Sequence, residues 1–287
     1  TQTCRIGLVA TNSIRSSASN IPIQAFAVEF DIFSAWAYDP WVVDGAAVRV
    51  SIVCGARFGN RLEKQLDGRS AVFISPKLAE QARTVGQIGK QAAVIFRGPP
   101  KIGPFDIEGA VAREWLRAPL NPNSRPNSDV LRPIWNANDV VRRNADRWII
   151  DFCDRGFDEA SLYELPFAYV AEHVRPIRAA NRRPFRRDNW WLHGETIPAL
   201  RAAMRPLSDG IVTPMVSTHR VFRWMPTAVM PDQRLMGICR DDETIFGLLS
   251  SNAHAAWTLK NCSWHGAGND PVYNAGSVFG TFPFPQG

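Results

Sequence analysis

The apolar run Ile6-Gly7-Leu8-Val9-Ala10 breaks at once into the polar cluster Thr11-Asn12-Ser13. A short, unbroken apolar run suits a strand buried on both faces, and ligands bind α/β sheets at the carboxyl ends of such strands. Residues 19–29 open on cap-type residues with a proline near the first turn, which predicts a helix. Ile32–Trp36 and Ala47–Cys54 then read as an antiparallel pair, with Asp44-Gly45 supplying the turn chemistry. Strand, helix and hairpin in that order describe the closing edge of an open α/β sheet. No glycine-rich nucleotide loop and no earlier strand precede it in the chain, so a later portion of a larger protein is expected.

Past residue 60 the pattern changes. Val72-Phe73-Ile74 is a short strand candidate and residues 77–85 are expected as one helix. After Arg97, turns crowd around short strands: Gly98-Pro99-Pro100, Gly103-Pro104 and the stretch Pro119 to Asn127 punctuate runs such as Arg147–Phe152. Residues 158–181 are helical in character, with Asp158 a cap candidate and Leu162, Leu165, Tyr169 and Val170 on one face; Ile197–Met204 predicts another helix. In the last third, Val212, Met215-Val216, Val221–Trp224 and Leu235–Cys239 read as strands, and Glu243–Ser250 and Asn252–Leu259 as helices. The expected class is α+β, with residues 1–65 forming the sheet edge and residues 66–287 a mixed, β-rich domain with helices.

Composition fixes what such a chain can hold. The 287 residues are 45% apolar and include 10 Trp and 16 Phe, ample for a packed core. The net charge is +6, and 28 of the 33 basic residues are Arg, the side chain suited to bidentate phosphate and guanine contacts. Coding bias in a GC-rich genome would give the same excess, so charge alone does not argue for DNA binding. Five cysteines without a C-x-x-C pair fit neither a disulfide framework nor a zinc ribbon, and a reducing, cytoplasmic setting is expected. No stretch of 18 apolar residues is present, so no membrane partner is expected.

Several chemistries are missing. Gly89-Lys90 lacks both the glycine five residues before it and the following Ser/Thr of a phosphate loop. The five His residues show no metal spacing, and Gly266-Ala267-Gly268 lacks the third glycine of a dinucleotide loop. What is present is a series of short motifs in one order. Leu8 to Arg15, Trp36, Asp39-Pro40-Trp41 and Asp44 to Ser51 come first; Gly103 to Ile107, Asn121-Pro122-Asn123, Arg125 to Pro133, Trp148 to Phe152 and Trp190 to Gly194 follow. Arg223-Trp224, Pro231-Asp232, Phe246 to Ser251 with His254 and Trp257, and Phe279 to Pro285 close the series. Together they resemble class I S-adenosylmethionine-dependent DNA methyltransferases, in particular the large adenine-N6 enzymes of restriction-modification and type IIG-like systems.

The resemblance implies that residues 1–65 close a Rossmann-like methyltransferase sheet and that residues 66–287 form a target-recognition domain for double-stranded DNA. Adenine-N6 transfer uses an Asn/Asp-Pro-Pro-aromatic loop, and the Pro-Pro here, Gly98-Pro99-Pro100-Lys101, has neither the acceptor nor the aromatic. That loop and the S-adenosylmethionine loop are therefore expected in an upstream methyltransferase portion of the same protein, leaving this chain inactive alone and without a cofactor or metal. The loop that separates adenine-N6 from cytosine-N4 chemistry is absent with them. Trp41 is the base-stacking candidate, since flipping a base out of a duplex costs roughly a few kcal/mol that aromatic stacking helps offset. Core packing is the other reading of Trp41 and of Trp36. Asn12, Ser13 and Arg15 follow the first strand at its ligand-binding end, where Ser13 could equally cap a helix.

In the larger part, Arg175, Arg178, Arg182, Arg183, Arg186 and Arg187 crowd into thirteen residues beside Trp190 and Trp191. Opposed only by Asp188, they are the candidate phosphate-tracking patch, unless they are a solvated helix end beside core tryptophans. His219 and Arg220 form a candidate groove-facing loop, with Arg142, Arg143 and Arg223 secondary. Two further readings stand beside the methyltransferase portion: a standalone DNA-binding specificity module, and part of a bifunctional restriction-methylation enzyme.

Overall fold

The computed structural model describes residues 5–15, 20–43, 46–58, 62–80, 94–265 and 270–285, without the side chains of residues 12, 13, 43, 46 and 47. The Asp44-Gly45 turn and most of the helix expected over 77–85 lie outside these residues. The chain forms two compact units, Thr1–Gly86 with Ser263–Asp270, and Gln87–Cys262 with Pro271–Gly287. It is a mixed α and β protein. No described helix is long and apolar enough to cross a membrane.

The first unit carries β1 (Arg5–Thr11), α1 (Ile21–Glu29), β2 (Phe30–Val43), β3 (Ala46–Arg57), β4 (Lys64–Leu66) and β5 (Arg69–Ala71). Its sheet runs β1-β3-β2-β4-β5, with β3 antiparallel to both neighbours and β4 parallel to β2. The division from the second unit falls later than residue 65 because β4 and β5 pair onto this sheet. Strand β1 is not buried on both faces as the apolar run implied. Its burial alternates, Val9 being 58% exposed while Leu8 packs on Ile23, Ala35 and Val53, because a single layer covers the sheet at this edge.

Gly55 belongs to that layer's packing: a Cβ there would stand 2.4 Å from the Phe26 ring, which stacks on Phe30. Residues 72–74 are not a strand. The β4–β5 turn, Asp67-Gly68, has φ of 51° and 75° as a tight hairpin requires, and its register ends pairing at Ala71, leaving Val72 90% exposed. Residues 77–80, the described start of the helix expected there, form turns and bends.

The second unit begins with β6 (Ile95–Arg97), β7 (Asp106–Glu108), α2 (Gly109–Leu116), β8 (Leu131–Trp135), α3 (Ala137–Val141) and β9 (Arg147–Ile150). A helical run follows: α4 (Phe157–Ser161), α5 (Glu164–His173), α6 (Arg175–Ala179), α7 (Pro184–Asp188) and α8 (Pro198–Met204). The rest comprises β10 (Asp209–Pro214), β11 (Arg223–Pro226), β12 (Met230–Pro231), β13 (Leu235–Ile238), α9 (Glu243–Leu249) and α10 (Asn252–Asn261).

Local chemistry explains the breaks. Pro166 and Pro176 occupy first turns, where proline is tolerated but the preceding helix must stop, so 158–181 is three helices rather than one. Gly156, not Asp158, is the N-cap of α4; Asp158 sits in the first turn, where the helix dipole favours an acid. Leu162 lies past the end of α4 and is 38% exposed, so it shares no face with buried Val170. Asn136 and Asp139 form a reciprocal capping box on α3, and Asp242 and Ser251 cap α9 and α10.

Two four-stranded sheets organise this unit, β12-β8-β9-β7 and β11-β10-β13-β6. Phe105, Ile149, Tyr163 and Trp191 anchor the core on the first. The second sheet is covered on both faces: Ile211 and Ile238 meet Leu249, Phe222 and Tyr273, while Val212 and Leu235 meet Leu200 and Met204. His254, fully buried, is ringed by Phe222, Phe282 and Tyr273, whose hydroxyl lies 3.2 Å from Nε2. Burial pushes its pKa down to about 4, so the folded protein holds it neutral.

The unfolded chain takes up that proton near pH 6.5. Stability carried by neutral His254 is therefore complete above about 6.5 and is lost as pH falls towards 4, by at most about 3 kcal/mol. Urea titrations across this range check it: His254→Gln, which keeps an acceptor for Tyr273, is expected to flatten the dependence, and an unchanged slope would refute the assignment.

Candidate nucleic-acid interface

Helices α6 and α7 and the turn between them point the arginine run in several directions. Arg175, Arg182, Arg183 and Arg187 are exposed. Arg175 lies over the Trp190 ring at 5.5 Å, and Arg187 pairs with the neighbouring Asp188 at 2.9 Å. Arg186 is half-buried and reaches Glu195 at 3.6 Å. Among the described residues no carboxylate pairs with Arg182 or Arg183. Phe185 and Ile177, 53% and 58% exposed, stand among these cations. Trp190 and Trp191 pack into the core with Phe157 and Phe167.

Arg178 does not belong to that surface. It is 1% exposed, and its guanidinium donates to the carbonyls of Ile102 (2.6 Å), Lys101 (2.8 Å), Leu192 (3.0 Å) and Arg186 (3.0 Å). Desolvation, with a smaller contribution from the Arg186 charge, lowers its pKa to about 10. Arg220 is likewise turned inward, donating to Thr213 Oγ1 at 3.0 Å, to the Pro271 carbonyl at 3.2 Å and to the Pro214 carbonyl, over the Tyr273 ring. Burial lowers it to about 10. Both side chains are tertiary cross-links, because several loop carbonyls would otherwise be left without donors.

His219 remains exposed. Arg142 and Arg143, just past α3, are exposed as well, and Arg223 stacks on Trp135 at 4.9 Å while donating to the Asp139 carbonyl.

In the first unit, Asn12 to Arg15 form a 3-10 turn at the carboxyl end of β1. Arg15 stacks on Tyr38 at 4.3 Å and donates to the Lys77 carbonyl at 3.0 Å; the side chains of Asn12 and Ser13 lie outside the described residues. Trp41 sits within β2 rather than in a loop, opposite Val48, and is 42% exposed. Pairing of β1 with β3 ends at Val50, and β4 reaches only Ala35 of β2, so Trp41 rides a two-stranded arm beyond the sheet. Trp36 is half-buried opposite Ile52.

Asp151 and His193 fall within the motif series, but nothing in their spacing marks the charged cluster they form with Arg201. Asp151, 1% exposed, accepts two bonds from Arg201 at 2.6 and 2.9 Å and one from the Cys153 N–H at 3.0 Å. His193 Nδ1 lies 3.7 Å away. Burial by itself would raise the Asp151 carboxyl; the His193 charge, present once that ring is protonated in acid, together with Arg201 and the Cys153 N–H, outweighs it and holds the pKa at about 2. Burial drives His193 the other way, towards the neutral form. A fixed anion beside a neutral imidazole offers no proton to move at neutral pH, and the cluster is a brace between β9 and α8.

No protein-family profile matches the chain, and no curated protein does. Among solved structures, the chain is similar to the type IIL restriction-modification enzyme MmeI in complex with DNA, with a TM-score of 0.73 and 18% identity. The two share a fold. The likeness covers 98% of this chain and 39% of MmeI, so the chain spans well under half of that enzyme. Both compact units are thus included in the likeness to MmeI, the arm bearing Trp41 and the arginine-bearing helices among them.

Proposed function

We propose that this chain is the portion of a restriction-modification DNA methyltransferase, of adenine-N6 type, that recognises and binds its target site. The observation that carries this reading is the fold shared over 98% of the chain with an enzyme solved on DNA. The first unit agrees with the sheet edge expected from the sequence: in the order β1-β3-β2, the last strand slots antiparallel between two earlier parallel-running ones. On this reading Trp41 stacks on the flipped base, Arg15 stands at the ligand end of β1, and the exposed arginines of α6 and α7 follow phosphates. His219 lies on the groove side.

S-adenosylmethionine and the catalytic loop would come from another portion of the parent protein. Residues 98–100 do not fit a catalytic loop: they are buried, and a Cβ on Gly98 would stand 2.2 Å from the Asp232 carbonyl oxygen. Modified-base sequencing of DNA from cells carrying the full gene tests the reading directly; unmodified adenines would sink it.

Phosphate contacts release counterions, so duplex affinity is expected to fall steeply with salt. Replacing Arg182, Arg183 and Arg187 together with Gln is expected to weaken binding to all sequences equally and to reduce the salt slope by about 3. Affinity indifferent to salt would remove the phosphate-patch assignment, and altered site choice at constant affinity would move these arginines onto bases.

A further inference from the structure

A cleft of about 340 Å3 lies in the second unit and is lined by Lys101, Asp106, Ile134, Asn136, Arg147 and Asp232. Its floor is ionic. Lys101 Nζ stands 2.8 Å from both oxygens of Asp106 and 3.3 Å from Asp232 Oδ2, while Asp232 Oδ1 accepts the Arg234 N–H at 3.0 Å. The three side chains are 16%, 25% and 10% exposed. The three groups fix one another in place, two carboxylates against one ammonium.

The walls add donors. Asn136 spends its side-chain oxygen on the N–H groups of Asn138 and Asp139, at 2.7 and 3.3 Å, which fixes the amide; among the described residues no acceptor takes its Nδ2. Arg147 gives Nη1 to Glu108; among the described residues no acceptor takes its other amino group. All of these positions sit on or beside neighbouring strands of one sheet. Asp106 and Arg147 flank the β7–β9 pairing, Asn136 follows β8, and the Asp232 N–H donates to the Trp135 carbonyl at 2.8 Å beside the β8–β12 pair. Groups on paired strands are held more rigidly than groups on loops.

Two acidic and two basic side chains make the lining neutral, which does not favour a phosphate. It offers acceptors and donors side by side, the pattern of a base edge: carboxylates accept from the exocyclic amine of cytosine or adenine, and amide or guanidinium donates to ring nitrogen or carbonyl oxygen. Exposed Arg142 and Arg143 follow α3, the helix that Asn136 caps, and Arg223 stacks on Trp135, between Ile134 and Asn136 of the lining. We propose that this cleft reads one base-pair edge bearing an exocyclic amine, with Asp106, Asp232, Asn136 and Arg147 as specificity-determining residues. The inference rests on the reading of this chain as a DNA-recognising portion.

The test is selection of a randomised duplex library by the full-length protein, wild type against Asp106→Asn, Asp232→Asn and Arg147→Gln, with thermal melting to check folding. The two Asp→Asn substitutions nearly preserve shape, Arg147→Gln shortens the side chain, and each changes hydrogen-bonding character. The expected result is a change of about tenfold or more in base preference at one position of the selected site, with the others and the salt dependence kept. Should Asp232→Asn not fold, the more exposed Asp106 and Arg147 decide. Folded variants that select the wild-type site at every position would overturn the assignment while leaving DNA recognition standing. A wild-type protein that enriches no sequence would overturn the recognition reading itself, and the cleft assignment with it.

Discussion

Replacing Arg201 with Met is expected to destabilise the second unit by about 3–5 kcal/mol, the cost of stranding a buried charge when its partner is removed. Asp151 is 1% exposed, and Arg201 supplies two of its bonds. Arg132, whose Nε stands 4.0 Å away, is too distant to replace them. The double variant Asp151→Asn with Arg201→Met is expected to recover much of the loss, since a neutral amide costs far less to bury than an unpaired carboxylate.

The pH dependence has a definite sign. The folded pKa of Asp151, about 2, lies below its ordinary value of 3.8, so the stability it carries is present above about pH 4 and is lost as pH falls through 2. With Arg201 gone the folded pKa rises, and acid unfolding begins at a higher pH. Guanidinium titrations of the two variants from pH 3 to 7 measure both effects. If the single and double variants lost equal stability, the charge pair would not be the brace.

Legibility followed physical cause. The hairpin of β2 and β3 and the helices α1, α8, α9 and α10 could be read from caps, turns and apolar spacing, since those signals act within a few residues of where they are written. The unit boundary could not. Strands β4 and β5 are three residues each, Lys64–Leu66 and Arg69–Ala71, too short for any alternation to show; β4 is placed by pairing to β2 about thirty residues away, and β5 by pairing to β4. Among the candidate site residues, Arg182 and Arg183 lie where a run of like charge is expected to lie, in solvent. Arg178 and Arg220 do not. Nothing in the letters around them distinguishes an arginine that meets water from one that meets four carbonyls, because those carbonyls belong to residues such as Ile102 and Leu192 that only the fold brings near. The cleft is not legible in the sequence for the same reason: Lys101, Asn136 and Asp232 are far apart along the chain.

That distinction sets up the second large effect. Replacing Arg178 with Met removes a guanidinium that donates to the carbonyls of Lys101, Ile102, Arg186 and Leu192 and lies over the Phe105 ring at 5.8 Å. The Lys101 carbonyl keeps the Gly194 N–H at 3.0 Å, and each buried acceptor that is left without a donor costs about 1–3 kcal/mol. Water and relaxation recover part, so a net loss of about 3 kcal/mol or more is expected. Arg178→Lys should fall nearly as far, because one ammonium on a flexible stem cannot span carbonyls that a planar fork reaches together. Arg182→Gln and Arg183→Gln, being exposed, should stay within about 0.5 kcal/mol of wild type.

Duplex affinity should sort the same residues in reverse. Measured well below the melting temperature, the Arg178 variants should bind as wild type does, whereas the Arg182 and Arg183 variants bind more weakly with a shallower salt dependence. A stable Arg178→Met protein with lost affinity would return Arg178 to the surface, and to the patch from which its burial removes it.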